Sequence, residues 1–360
     1  MGRTSDGKAP RLKDVAAVAG VSHQTVSRVV NGHPNVRTGT REKVKAAIAQ
    51  LGYRPNTAAR SLVTRRSRRI GVLASELSQY GPANTLMGIE QAARDAGYSV
   101  SIAALREVNR ASICEAINHF MDQSVDGIAV VVPHEEALAA LDDMELSVPV
   151  VTVGSPTNSN VSGTIVDQGQ GARAAVQHLL QQGHRAIAHL SGPPGWPDSS
   201  ERKAGWREAL RGAGLPDEHL FIGDWGAGSG YTIGRKIAQD PRITAVFVAN
   251  DQMALGVLRA FAEAEVRVPE DVSVVGFDDQ PESAYFIPPL TTVRQDFEEL
   301  GRHAVDSMLQ ELDSGMPAGT TVITPALHIR ASTAHYQPAP HLSSSHSPNP
   351  RPSTVRTLPE

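Results

Sequence analysis

The sequence predicts an N-terminal three-helix helix-turn-helix headpiece plus a hinge helix, joined to an α/β body of two doubly wound parallel-sheet lobes. Three observations carry that expectation. Charge is partitioned along the chain: residues 1–69 hold 15 Lys and Arg against 3 Asp and Glu, a net +12, while residues 70–360 hold 19 against 35, a net −16, although the whole chain is only −4. The basic part shows short apolar stretches with helical periodicity, separated by turn residues. In the acidic part, apolar runs of strand length alternate with amphipathic helical stretches, and the alternation occurs twice.

Composition excludes several classes. A chain of 360 residues with 40% hydrophobic and 20% charged residues is globular and large enough for more than one domain. The single cysteine, Cys114, excludes an intramolecular disulfide and suits a reducing cytoplasm. No apolar run approaches the ~20 residues of a membrane span, and the polar, basic N-terminus lacks the apolar core of an export signal. A cytoplasmic protein with no membrane partner is expected.

Residues 1–10 read as a disordered start, and the headpiece as 11–55. Leu12, Val15, Ala16 and Ala19 share one helical face, and Gly20 ends that helix. Ser22 is a good N-cap for a second helix from His23 to Val30, which Asn31-Gly32 closes. A third helix has Thr38 as its expected N-cap, Val44, Ala47, Ile48 and Leu51 on its apolar face, and Gly52 at its end. In a helix-turn-helix the second helix enters the DNA major groove and its first residues reach base edges. Here these are His23, Gln24 and, a turn later, Arg28. Gln pairs bidentately with adenine and Arg with guanine. Thr25, Ser27 and Asn31 fit phosphate contacts or caps. Over residues 56–69, a short helix capped by Asn56 would be marginal alone and would form only when something packs on it.

In the body, strands are expected at Ile70–Ala74, Ser99–Leu105, Gly127–Val132 and Val148–Val153, with helices near Asn84–Ala96, Ser112–Gln123 and Glu135–Leu141. The pattern repeats with strands at Ala186–Ser191, Ala245–Ala249 and Val272–Phe277 and helices near Gly169–Gln182, Ser200–Ala213 and Asp251–Ala264. The first lobe is read as about 70–165 with 295–323, the second as about 166–293 with 325–335. Ligands of such sheets bind beyond the carboxyl ends of the strands, so a cleft between lobes is the expected place for one.

Leu12-Lys-Asp-Val-Ala, Ala19-Gly-Val-Ser, Thr25-Val-Ser-Arg-Val-Val-Asn31, Thr40-Arg-Glu-Lys-Val44, Leu51-Gly-Tyr-Arg-Pro-Asn56 and Ala59-Arg-Ser-Leu62 resemble the headpiece and hinge of the LacI/GalR family of transcriptional repressors. Val248-Ala-Asn-Asp-Gln-Met-Ala-Leu-Gly256, Ser273-Val-Val-Gly-Phe-Asp-Asp279 and Ile287-Pro-Pro-Leu-Thr-Thr-Val-Arg-Gln-Asp-Phe297 resemble the family's periplasmic-binding-protein-like core, so the likeness spans roughly residues 11–333. The resemblance implies a homodimer reading a pseudo-palindromic double-stranded operator, controlled by a small sugar. It implies DNA contacts from Leu12, Ser22, Asn35, Tyr53, Asn56 and Ala59 beside the residues above, with Leu62 as the apolar lever that wedges into the minor groove.

For the effector the resemblance implies Ser75, Gly81, Pro82, Arg202, Trp225, Asn250, Asp278, Gln295 and Phe297. Their chemistry suits a sugar: Asp278 accepts hydroxyl hydrogen bonds, Arg202 donates a fork of them, Asn250 does both, and the Trp225 face can cover C–H groups. Plainer readings stand beside these, with Asp278 capping a helix, Arg202 pairing with an acidic neighbour and Trp225 in a core. No cofactor or metal is implied. Gly154 stands where a β-galactoside-binding member of the family carries an aspartate, and Asp198 stands where it has a serine, so a related β-glucoside or disaccharide is as well suited as a galactoside.

Enzyme readings rest on less. Ser200-Glu-Arg-Lys203 fits a Ser-x-x-Lys pattern without its companion motifs. Gly226-Ala-Gly-Ser-Gly230 is not a dinucleotide fingerprint and reads as a Gly-rich turn opening a helix. His178, His184 and His189 lack compact metal spacing and read as surface or interface histidines. A sugar receptor without gene control lacks an explanation for the headpiece. The tail 336–360, with six prolines and few aliphatics, is expected to be disordered and unable to form a tetramerising leucine-heptad helix.

Overall fold

The computed structural model describes residues 10–30, 33–53, 66–132, 134, 146–154 and 161–337. Asn31, Asn56, Ala59, Leu62, the helix expected at Glu135–Leu141 and the tail after Gln337 lie outside the described residues.

Three helices build the headpiece: α1 (Leu12–Ala19), α2 (His23–Val30) and α3 (Thr38–Leu51). Gly20 and Gly52 end α1 and α3 in the left-handed region, with φ of 65° and 60°. The Ser22 hydroxyl accepts the Thr25 N–H at 3.1 Å, as a cap should. The third helix departs from expectation by one residue. Thr38 is already helical, and the Arg37 carbonyl starts α3 by accepting the Thr40 and Arg41 N–H groups without any side-chain cap. Val15, Ala16, Val26, Val44, Ala47 and Tyr53 form the small core, with Leu12, Ala19, Ile48 and Leu51 packed at its rim.

The chain divides into two compact units. One holds the sequence up to Ser78, Pro82–Ile165 and Phe297–Thr321; the other holds Gln79–Gly81, Val166–Asp296 and the sequence from Val322. In the first unit β1 (Arg69–Ser75), β2 (Ser99–Leu105), β3 (Gly127–Val131), β4 (Val150–Val153), β5 (Ser162–Val166) and β11 (Thr320–Ile323) make a sheet of order β11-β5-β4-β3-β1-β2. It is flanked by α4 (Tyr80–Asp95), α5 (Arg110–Asp122) and α10 (Phe297–Ser314). In the second unit β6 (Ile187–Ser191), β7 (Leu220–Ile222), β8 (Ala245–Val248), β9 (Ser273–Asp278), β10 (Thr291–Arg294) and β12 (Ala326–His328) take the order β12-β10-β9-β8-β6-β7. Its helices are α6 (Gln168–Gln181), α7 (Pro197–Gly212), α8 (Ala227–Ile237) and α9 (Asp251–Glu263).

Both sheets start at β1 or β6, step outward once to the edge strand β2 or β7, then reverse across the starting strand, which is the doubly wound pattern. The β1, β3, β4, β5 and β6, β8, β9, β10 pairings are parallel, but β12 joins β10 antiparallel, an edge that the purely parallel expectation lacked. Expected strands form within one or two residues of their bounds. The helices α4 and α7 start earlier than expected, because Pro82 and Pro197 sit in the first turn, where a missing N–H costs nothing. Gly226 opens α8, as the sequence suggested. Among the described residues no helix is long and apolar enough to cross a membrane.

Glycine sets the closest helix approach in the second unit. A Cβ on Gly256 would lie 2.0 Å from the Ala227 carbonyl oxygen, and one on Gly230 would lie 2.1 Å from that of Met253, so α8 and α9 touch backbone to backbone. Gly256→Ala should therefore destabilise the protein by ~1–3 kcal/mol, the usual cost of overpacking. Urea unfolding of the variant with a midpoint equal to that of the parent would contradict this contact.

Candidate functional site

On α2, Val26 is buried and Val29 and Val30 pack on the headpiece core, which turns His23, Gln24 and Arg28 out to solvent. Ser22 and Asn35 are also exposed, while Leu12, Thr25 and Ser27 are half-buried. Arg11, Lys13, Arg37, Lys43 and Lys45 of the headpiece are exposed as well. Among the described headpiece residues the acids are Asp14, whose carboxylate accepts the Arg11 N–H at 2.7 Å, and Glu42, 3.8 Å from Lys45. Tyr53, expected to contact DNA, is only 7% exposed and belongs to the headpiece core, because an aromatic directly after the Gly52 turn folds back over the three helices.

In the second unit the polar residues collect beyond the carboxyl ends of parallel strands. Asp278 ends β9, Gln295 follows β10, Asn250 follows β8 and Trp225 follows β7. Asp278 and Gln295 join Arg202 on α7 and Gln168 at the start of α6 in a closed ring of contacts, with Asn250 and Trp225 bonded to each other beside it. Gln295 Nε2 donates to Asp278 Oδ1 at 2.7 Å, Gln168 Nε2 donates to Gln295 Oε1 at 2.9 Å, and Arg202 Nε donates to Gln168 Oε1 at 2.9 Å. The Arg202 Nη1 closes the ring 3.6 Å from Asp278 Oδ1 and also donates to the Ala249 carbonyl, while its Nη2 lies 3.7 Å from Asp198. Arg202 is only 3% exposed, with its guanidinium 3.9 Å from the centre of the Phe277 ring and 5.7 Å from that of Trp225.

The backbone beneath the ring is strained. Asp278 and Asp279 have φ of 108° and 52°, values that residues with a Cβ rarely adopt. Asp251 holds that turn: it accepts the Gln280 N–H at 2.9 Å and the Ser283 and Thr292 hydroxyls at 2.6 Å each. Arg330 Nη2 pins Asp279 at 2.6 Å. Trp225, at φ 73°, is fixed by Asn250, whose Oδ1 caps α9 at Met253 N (2.9 Å) while its Nδ2 donates to the Trp225 carbonyl at 3.0 Å. The indole is 5% exposed and packs edge-on against Trp196 at 5.3 Å, so it stands in the core; its Nε1 has no hydrogen-bond partner. A buried N–H without a partner is uncommon.

The other expected effector residues fall elsewhere. Ser75 ends β1 in the first unit with its hydroxyl buried and unpartnered, Pro82 lies in the first turn of α4, and Phe297 opens α10. Gly81 is grouped with the second unit. The sequence reading missed Gln168 and Trp196. A signal for Gln168 existed, since Asp167 after the β5 run caps α6 by accepting Gln170 N–H at 2.7 Å and so places the next residue at the strand end.

The three histidines are not on the surface. His178 bonds Thr333 at 2.9 Å, His184 bonds Thr244 and Ser273 at 3.0 Å, and His189 is wholly buried with Nδ1 3.0 Å from the Phe247 carbonyl. His178 is on α6, His184 in the turn after it and His189 within β6, and burial lowers the pKa of each, that of His189 to about 3. Among the described residues no cluster of three or more His, Cys, Asp or Glu is placed to hold a metal.

Residues 11–56 match the model of bacterial regulatory proteins of the lacI family, and residues 176–333 match that of a periplasmic binding protein-like domain. The lactose operon repressor of Escherichia coli (strain K12) is 37% identical over 324 residues, covering 89% of this chain and 90% of that protein. The chain belongs to the lacI family. A crystal structure of the lac repressor dimer bound to operator and the anti-inducer ONPF aligns with a TM-score of 0.80 at 36% identity, over 91% of this chain and all of that one. The complex of the transcriptional regulator CelR with cellobiose aligns at 0.67 and 33% identity, over 90% and 99%. Against this lacI-family frame, Gly154 has a φ of 90°, so an aspartate at that position would be strained here.

Burial raises the Asp278 pKa to about 7 against the opposing pull of Arg202, and burial with the neighbouring Asp198 and Asp167 raises Glu201 to about 7. A carboxyl whose folded pKa is raised stabilises the fold fully below its unfolded value and loses that contribution as pH climbs through the folded value. Asp278 and Glu201 should therefore pull the melting temperature down as pH rises from 5 to 8, while the neutral buried His178, His184 and His189 pull it up below about pH 6.5, so Asp278→Asn should make the melting temperature fall less, or rise more, across that range than in the parent. An unchanged slope in thermal melts would show that Asp278 is already ionised at pH 5.

Proposed function

We propose that this chain is a homodimeric transcriptional repressor of carbohydrate-utilisation genes in the bacterial cytoplasm, released from a pseudo-palindromic operator when its body binds a small sugar. The observation that carries the reading is the outward face of α2, where His23, Gln24 and Arg28 stand exposed in a basic headpiece. Gln24 and Arg28 suit major-groove edges, and the headpiece cations suit phosphates, so operator affinity should fall steeply with salt. The hinge, with Leu62 as lever, would complete the DNA contact.

The polar ring of the second unit is read as part of the effector site, with Arg202, Asn250, Asp278 and Gln295 supplying hydrogen bonds and Trp225 an apolar face. Ser75, Gly81, Pro82 and Phe297 are read as further contacts. Bound cellobiose in the CelR complex, together with the strained backbone at Gly154, favours a β-glucoside or disaccharide over a plain β-galactoside.

Coupling between sugar and operator is reciprocal, so each must weaken the other by the same factor. Titrating a panel of β-galactosides, β-glucosides and their disaccharides, with tryptophan fluorescence and operator affinity as readouts, should find one sugar that shifts both. Sugar binding that leaves operator affinity untouched at fixed salt would sink the inducer reading. Arg28→Ala should relax discrimination at one base position by ~1–3 kcal/mol. Equal weakening on every duplex would instead assign Arg28 to the phosphate backbone.

A further inference from the structure

We propose that Asp126 is a carboxylate clamp that fixes where the DNA-binding segment leaves the body, and so positions that segment for operator binding; the inference rests on the repressor reading above. The turn before β3 carries Asp126, which is 8% exposed. Its Oδ1 accepts the Ser67 N–H at 2.8 Å and the Ser67 hydroxyl at 3.0 Å, and its Oδ2 accepts the Arg68 N–H at 2.9 Å. Asp126 N–H in turn donates to the Arg69 carbonyl at 2.8 Å. The Ser67 Oγ accepts the Arg69 N–H at 3.1 Å. Three successive backbone N–H groups ahead of β1 are thus held by side-chain oxygens.

A carboxylate suits this place. Three donors converge on two oxygens, and an amide would turn one of those oxygens into a donor facing the Arg68 N–H. The neighbours make the clamp part of one block. Gly127 lets the turn close on α10, since a Cβ there would meet Met308 Sδ at 2.5 Å. The far end of α10 holds the residue just before the clamp: Arg66 Nη2 donates to the Leu312 carbonyl at 3.1 Å and to Asp313 Oδ1 at 2.8 Å. On the other side Ser99 N–H reaches the Arg68 carbonyl at 2.9 Å, and Arg68 takes a φ of 55° to present it.

Packing does not substitute for these bonds. An open groove of about 550 Å³ runs alongside, lined in part by Arg66, Ser67, Asp126, Pro149 and Leu312. Beyond the clamp the chain enters β1 directly, and β1 pairs with β3 from Ile70 opposite Gly127 to Ala74 opposite Val131. Displacement of either strand is therefore passed to residues 66–68 as a rigid shift, where an unclamped linker would swivel.

The test uses the full chain, the duplex that the parent protein enriches from a randomised palindromic pool, and a scrambled duplex. Asp126→Asn should weaken binding to the enriched duplex roughly tenfold, as expected for loss of one charge-assisted hydrogen bond and misdirection of its donor, and leave the scrambled duplex unchanged. Ser67→Ala, which removes only the hydroxyl, should give a smaller loss of the same selective kind in a protein that melts like the parent. Parent-like affinity for the enriched duplex in both variants, or an equal loss on both duplexes, overturns the clamp. A parent protein that enriches no duplex at all overturns the repressor reading itself.

Discussion

A guanidinium with almost no solvent contact must be surrounded by acceptors, because an unpaired buried charge costs several kcal/mol, of order 3–5 when one partner is removed. Arg202 meets that demand with three different segments. A glutamine from α6, a carbonyl after β8, a carboxylate at the end of β9 and the ring of Phe277 all face it. Gln295 after β10 ties the glutamine to the carboxylate. The strand ends of the second unit are consequently not free to choose their conformation. Asp278 must turn toward Arg202, which places it and Asp279 in the left-handed region, and the hydrogen bonds of Asp251 and Arg330 hold the turn there. Strain at this position is thus a result of the buried cation, and a pre-formed polar surface is the consequence.

The headpiece is built on the opposite principle. Its core is a handful of small apolar side chains and Tyr53, which leaves cations on the surface and none in the interior. Burying Tyr53 serves that small core, and it explains why an aromatic that suits a DNA contact on sequence grounds is turned inward. The +12 and −16 halves of the chain follow the same division. Attraction to a polyanion is confined to the part with little core, and repulsion from it to the part that holds the buried polar ring.

What the sequence made legible follows from range. Helices α1 to α3 and the strands of both sheets carry their periodicity within a dozen residues, and turn residues such as Gly20 and Gly52 mark their ends. Starts were harder. The helix expected near Asn84 begins at Tyr80, with Pro82 in its first turn, and the Arg37 carbonyl caps α3 without any side-chain signature. Residues 168, 202, 278 and 295 are scattered over more than a hundred positions, so no local pattern joins them. Resemblance supplied three of the four, and Gln168 was missed because its role exists only once α6 and α7 are packed. His189 shows the limit from the other side. A polar residue in an apolar run can face a sheet interior, stacked here on Phe247, and nothing in its neighbours announces that.

Charge around the ring narrows the chemistry of the proposed effector. Arg202 is one cation, and Asp198, Glu201 and Asp278 are three acids within reach of it. Burial raises Asp278 and Glu201 to about 7, and neighbouring acids add to the rise, Asp251 and Asp198 at Asp278 and Asp198 and Asp167 at Glu201, against the opposing pull of Arg202. A phosphorylated or acidic sugar would add a further anion to that surface and would have to displace the Arg202 contacts to find a counter-charge. A neutral glycoside faces no such conflict. Its hydroxyls both donate and accept, so they can satisfy a carboxyl in either protonation state.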